Sequence, residues 1–102
     1  MTEQEKSERL RLWMDEQKIG DIPFAWPYWR PFLHIQQAKE VQAAMLYHGY
    51  YTGTDARPGG GWFAYFETEL PEEGAGIARP TEAAAICEAA GLALGLWEEE
   101  GG

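Results

Sequence analysis

Gly59-Gly60-Gly61-Trp62-Phe63-Ala64-Tyr65-Phe66-Glu67 is the stretch whose reading decides the fold. A run of aromatics entered from three glycines suits a pleated strand and little else. On a period of two, Trp62, Ala64 and Phe66 share one face while Phe63 and Tyr65 share the other, so neither face is polar. A strand that is apolar on both sides needs cover on both. That predicts the middle layer of a sandwich, with helices above and below.

Upstream, Tyr50-Tyr51-Thr52-Gly53-Thr54-Asp55 reads as the partner strand of a hairpin, joined to Trp62 through Ala56-Arg57-Pro58-Gly59-Gly60-Gly61. The connection is long for a tight turn and rich in glycine, which predicts a mobile loop. Three glycines invite comparison with a phosphate loop, but no Lys-Ser/Thr follows them, and they precede a strand where a phosphate loop would open a helix. Downstream, residues 68–79 are polar and broken by Pro71, Gly74 and Gly76, with Gly76-Ile77-Ala78 as a short edge strand if the sheet has a third.

Three helical patterns surround the hairpin. Thr2-Glu3-Gln4-Glu5 has the capping-box arrangement, a hydroxyl at the N-cap and a carboxylate three residues on, and predicts a helix to about Gln17 that Gly20 ends. Its apolar residues are few, mainly Leu10, Trp13 and Met14, so its first two turns are expected to be solvated. From His34 to Tyr47, Ile35, Ala38, Val41, Gln42, Met45 and Leu46 form a stripe of period 3.6, with Gly49 as the stop and Gln37 placed to reach back to His34. The last helix opens at Pro80 and runs through an alanine-rich face to Trp97, and Gly91 and Gly95, four apart, would permit close approach of a second helix in a homodimer. The predicted fold is α+β: a small α/β/α sandwich in which an antiparallel hairpin of two to three strands is covered by helices. Residues 1–20 form a partly solvated N-terminal helix, 21–97 the sandwich domain and 98–102 an acidic tail.

One domain fits 102 residues, and 45% apolar residues with five Trp suffice for a core. A single cysteine, Cys87, excludes an internal disulfide, and two histidines, His34 and His48, do not make a structural zinc set. The charged start, Met1-Thr2-Glu3-Gln4-Glu5-Lys6, and the lack of a long apolar run predict a soluble cytoplasmic protein with no membrane contact. Net charge is -9 and unevenly placed: residues 58–102 hold Arg79 against nine Glu, while residues 1–57 are nearly balanced. Such a surface repels phosphate backbones and attracts basic protein surfaces, so direct nucleic-acid binding is disfavoured.

Two stretches present candidate binding residues. Asp21 to Phe32 carries Pro23, Pro27 and Pro31 among five aromatics, an ordered segment without regular structure that either plugs the core or offers Trp26, Tyr28 and Trp29 as a recognition platform. The acidic connection offers Glu69, Glu72 and Glu73 to a basic partner, beside Glu67. Catalytic groups are scarce. Ser7 is the only serine, and Cys87 falls among alanines, where a thiol acts as a small buried hydrophobe. No enzyme, cofactor or metal is expected.

Pro27-Tyr28-Trp29, the helix from Ala38 to Leu46, the two strands and the run Ala84-Ala85-Ile86-Cys87-Glu88-Ala89-Ala90 together resemble the phage ABA sandwich domain, a family of small phage and prophage proteins. The resemblance covers about residues 27–95 and departs at His34, where relatives often carry an acidic N-cap, and at Glu88, where they carry a basic residue. It implies an α/β/α arrangement and a phage or prophage setting, and it names no catalytic residue. The resulting expectation is an accessory protein that binds a bacterial host protein, such as an anti-defence inhibitor with an acidic face. The alternatives are a sponge for a nucleotide-like ligand, with Arg30, Arg57 and Arg79 meeting phosphate, and a virion or assembly component.

Overall fold

The aromatic run becomes β2 (Trp62–Glu67), the central strand of a three-stranded antiparallel sheet with β1 (Tyr51–Ala56) and β3 (Ala75–Arg79) at its edges. The computed structural model describes residues 1–17 and 26–99. Around the sheet stand α1 (Glu3–Glu16), α2 (Ile35–Tyr47) and α3 (Glu82–Ala93), and a single 3-10 turn, Pro71–Glu73, precedes β3. The chain is therefore an α+β globule, a small α/β sandwich whose third strand is formed. The stop at Gly20, Phe24 and the end of the acidic tail lie outside the described residues.

Register places Thr52 opposite Phe66 and Ile77 opposite Ala64. Thr52, Ala64, Phe66 and Ile77 thus face the same way, toward α2 and α3, where Phe66 packs with Val41, Met45, Ile86 and Ala90. Burying each large side chain in this set contributes about 1.5–3 kcal/mol relative to exposure. The Gln42 amide reaches the Thr52 hydroxyl at 3.1 Å and fixes α2 over β1.

The doubly covered element is α3. Residues 85–91 are all buried, and seven consecutive residues pass through every direction around a helix, so α3 is enclosed on all sides. Alanines make this possible, because they let the sheet and α2 approach the helix closely, while α1 reaches it through the Lys6 side chain. On the remaining sheet face, Phe63 and Tyr65 are half-buried by a different device. A Cβ at Gly53 would lie 2.7 Å from the Tyr65 ring, and one at Gly76 would lie 2.7 Å from the Phe63 ring. Each aromatic ring lies flat over a neighbouring strand's glycine, so the face is closed by its own side chains.

Three details differ from the sequence expectation. The first two turns of α1 are solvated only in part: Thr2, Gln4, Glu5 and Arg9 are exposed, whereas Lys6 and Ser7 are buried, Lys6 reaching Glu88 on α3 at 2.7 Å. The buried stripe of α2 is Ala38, Val41, Ala44 and Met45, whereas Ile35 and Leu46 at its ends are exposed. The last helix ends at Ala93, and Gly95 in the left-handed region (φ 71°) turns the chain so that Trp97 folds back over Gly91. A Cβ on Gly91 would meet the Trp97 indole at 1.9 Å, so Gly91 serves an intrachain contact and presents no helix face to a second copy.

Candidate functional site

The prolines of the aromatic segment hold it in irregular geometry, and side chains then fix it on the helices. Gln37 binds it twice, accepting from the Arg30 amide and donating to the Tyr28 carbonyl at 3.2 Å, which is the role it takes in place of reaching His34. Trp29 is only 3% exposed, with its indole N–H directed at Glu40 at 3.4 Å. The Arg30 guanidinium stands 4.8 Å from the Trp26 ring and pairs with Glu3 at 2.7 Å. The segment therefore ties α1 to α2, through Arg30 to Glu3 on one side and through Gln37 and Trp29 on the other. Of the three predicted platform residues, only Tyr28, 75% exposed, is presented outward.

Among the described residues no helix covers the sheet face that carries Phe63 and Tyr65, and the acidic connection starts at the end of that face. A groove of about 570 Å³ has Phe63, Tyr65 and Gly76 in its lining, with Glu67, Thr68 and Leu70 alongside. Two aromatic rings and the Glu67 carboxylate belong to its lining, and Glu69, Glu72 and Glu73 are exposed on the connection that follows. Thr68 organises that connection, its hydroxyl accepting from the Leu70 amide at 3.0 Å and lying 3.2 Å from the Glu73 carboxylate. Partial burial first, and then the negative charge of Glu73, raise the Tyr50 phenol above its ordinary range.

Arg57 lies at the opposite end of β2. There it lines a second groove of about 610 Å³ together with Gly59, Gly60, Gly61 and Arg79. The glycine loop therefore shares its groove with two of the three arginines considered for phosphate, and not with Trp26, Tyr28 or Trp29. Arg30 is held elsewhere by Glu3.

Nucleophilic groups are enclosed. The Cys87 thiol is fully buried in α3, and burial first, then the nearby charges of Glu88 and Glu3, push it well above the ordinary thiol range. Ser7 is buried in α1, and its hydroxyl has no hydrogen-bond partner among the described residues. His48 stacks with Tyr50, ring centroids 6.4 Å apart, and meets Trp13 edge-on at 5.4 Å; His34 is the N-cap of α2 without a side-chain cap bond. Among the described residues no three His, Cys, Asp or Glu side chains are grouped to hold a metal, and no helix is long and apolar enough to cross a membrane.

Sequence reasoning missed Phe63, Tyr65 and Leu70 as site residues, having assigned the second aromatic face to a helix. The signal was present in Gly53 and Gly76, whose lack of side chains on the flanking strands leaves room for rings. Compared with known proteins, the chain matches no family model, no curated protein and no solved structure.

Proposed function

We propose that this is a non-enzymatic binding protein whose docking surface is the helix-free sheet face, with a basic protein surface as its partner. One observation carries the reading: Phe63 and Tyr65 line one groove together with Glu67, Thr68 and Leu70, the start of the acidic connection. Aromatic rings attract the flat or cationic end of an Arg or Lys side chain, and carboxylates around the rim pair with its charge. Charge at the rim steers encounter, while the apolar floor supplies the desolvated contact that holds the complex. The resemblance to small phage proteins points to a host protein in a bacterial cell as that partner, and to an inhibitory or accessory role. Buried Cys87 and Ser7 agree with a role that needs no nucleophile.

The test is capture of partners from bacterial lysate at low salt by the wild-type chain, by Tyr65→Ser and by Glu69→Gln/Glu72→Gln, read by native mass spectrometry. A stoichiometric protein held by the wild type, lost at high salt and lost by both variants, is the expected result. Capture that survives both variants, or depends on Tyr28 instead, refutes this face as the docking surface.

A further inference from the structure

The groove at the opposite end of the sheet has a composition unlike the rest of the molecule. The sequence holds 17 acidic residues against 8 basic ones, yet Arg57, Pro58, Gly59, Gly60, Gly61, Ala78, Arg79 and Pro80 line this groove without a carboxylate. Other basic side chains are engaged: Lys6 with Glu88, Arg11 with Asp15, Arg30 with Glu3 and Lys39 with Glu82, while Arg9 donates to the Leu96 carbonyl. Among the described residues Arg57 has no side-chain partner. Arg79 gives one N–H to the Ala78 carbonyl at 2.8 Å and keeps the rest of its fork. In so acidic a chain, two guanidinium groups left without a carboxylate and placed in one groove form a local positive site.

The loop adds backbone donors. The Arg57 amide donates to the Gly61 carbonyl at 3.0 Å and the Gly60 amide to the Arg57 carbonyl at 3.1 Å, which closes the turn. The Gly59 and Gly61 amides make no such bond among the described residues. Gly59, Gly60 and Gly61 all have positive φ, 85°, 111° and 87°, a conformation that favours glycine and leaves the loop backbone without side chains over it. Pro80 in the lining directly precedes Thr81, the N-cap of the 12-residue helix α3, so the groove borders the positive end of a helix dipole.

We propose that this groove binds the phosphate group of a small molecule, with Arg57 and Arg79 as charged forks and the Gly59 and Gly61 amides as neutral donors. Phosphate suits a site made only of donors, since its oxygens all accept and guanidinium matches it bidentately. The groove, of about 610 Å³, is open and has room for a phosphate group held at the surface. A nucleic-acid backbone is a poor occupant, because its repeated charges would run from this end into the field of a chain of net charge -9. The site differs from a P-loop in construction: arginines flanking a hairpin turn take the place of a lysine at a helix start.

The experiment is titration of the ¹⁵N-labelled full chain with inorganic phosphate at constant ionic strength, with chloride as the control and ribose 5-phosphate as a second arm. Saturable shifts centred on Arg57, Gly59, Gly61 and Arg79, with a Kd of about 1 mM, are expected. Arg57→Gln, an exposed position whose backbone and not its side chain closes the turn, should weaken binding about tenfold. Arg57→Lys should fall between, since it keeps the charge and loses the fork. Tighter binding of the sugar phosphate assigns the site to phosphate esters, and tighter binding of the inorganic ion assigns it to free phosphate. Shifts that never saturate, that chloride reproduces, or that persist undiminished in Arg57→Gln overturn the proposal.

Discussion

Glu88 shows how one residue can set the architecture around it. Its carboxylate takes Lys6 at 2.7 Å and the Trp97 indole N–H at 3.1 Å, and Lys6 also stands 5.4 Å from the Trp97 ring. The first helix thereby meets α3 and the C-terminal return that follows it at one charge that is almost out of water. A buried carboxylate stripped of its counter-ion is costly, so Lys6→Met should destabilise the protein by about 3–5 kcal/mol in urea denaturation. Lys6→Met/Glu88→Leu should recover most of that loss, because no uncompensated charge is left. Equal loss in the single and double variants would mean that packing, and not the charge pair, is what matters there. Cys87, one position earlier, gives a second expectation. With its pKa raised by burial the thiol stays protonated at pH 8, so a thiol reagent should label it only as fast as the chain unfolds. Rapid labelling of the native protein would contradict the enclosed position of α3.

At the scale of elements, the chain's own signals carried far. Thr2 and Glu5 form the reciprocal capping box that their spacing announces, with the Glu5 amide 3.2 Å from the Thr2 hydroxyl, and α2 starts and stops where His34 and Gly49 put it. Strand β2 and its hairpin were equally legible, since alternation and glycine turns are local properties, whereas the third strand was left open, Gly76-Ile77-Ala78 being short and next to breakers where the structure has Ala75–Arg79. What was not legible depends on partners distant in sequence. Lys6 reads as solvated until Glu88 is brought beside it, and the Phe63–Tyr65 face reads as helix-covered until Gly53 and Gly76 are set against it. Likewise Arg57 and Arg79 are 22 residues apart and meet only through the sheet register, in which Arg79 pairs with Trp62. Around the candidate residues, the start of the acidic connection lines a groove with Phe63 and Tyr65, whereas Trp29 is buried with its indole on Glu40 of α2 and Trp26 meets the Arg30 guanidinium. One element-scale expectation follows for α3. Thr81 accepts from the Ala84 amide at 3.2 Å, so Thr81→Ala should cost about 1 kcal/mol of global stability, because α3 touches every layer and cannot fray separately. A helix that frays locally, with the global unfolding midpoint unchanged, would show that α3 is less central than its burial implies.

For the whole molecule, the important asymmetry runs along β2. The Glu67 end carries the acidic connection and the aromatic groove, and the Trp62 end carries Arg57, Arg79 and the glycine loop. The two proposed sites use opposite charges at opposite ends of one sheet, so each can be removed without touching the other. Glu69→Gln/Glu72→Gln/Glu73→Gln removes three negative charges from the first site. It should slow association with the basic partner and flatten its salt dependence, because steering by exposed charge acts on the on-rate and is screened over about 10 Å at 0.1 M salt. The same variant should leave phosphate binding at Arg57 and Arg79 unchanged or slightly tighter, since a less negative chain repels an anion less. Arg57→Gln should do the reverse, weakening phosphate and leaving partner capture intact. The crossed outcome is measured by surface-immobilised kinetics for the partner and by titration for phosphate on the same protein preparations. If the glutamate variant abolishes both activities, or Arg57→Gln does, the two ends are not independent and the sheet must be treated as one binding surface.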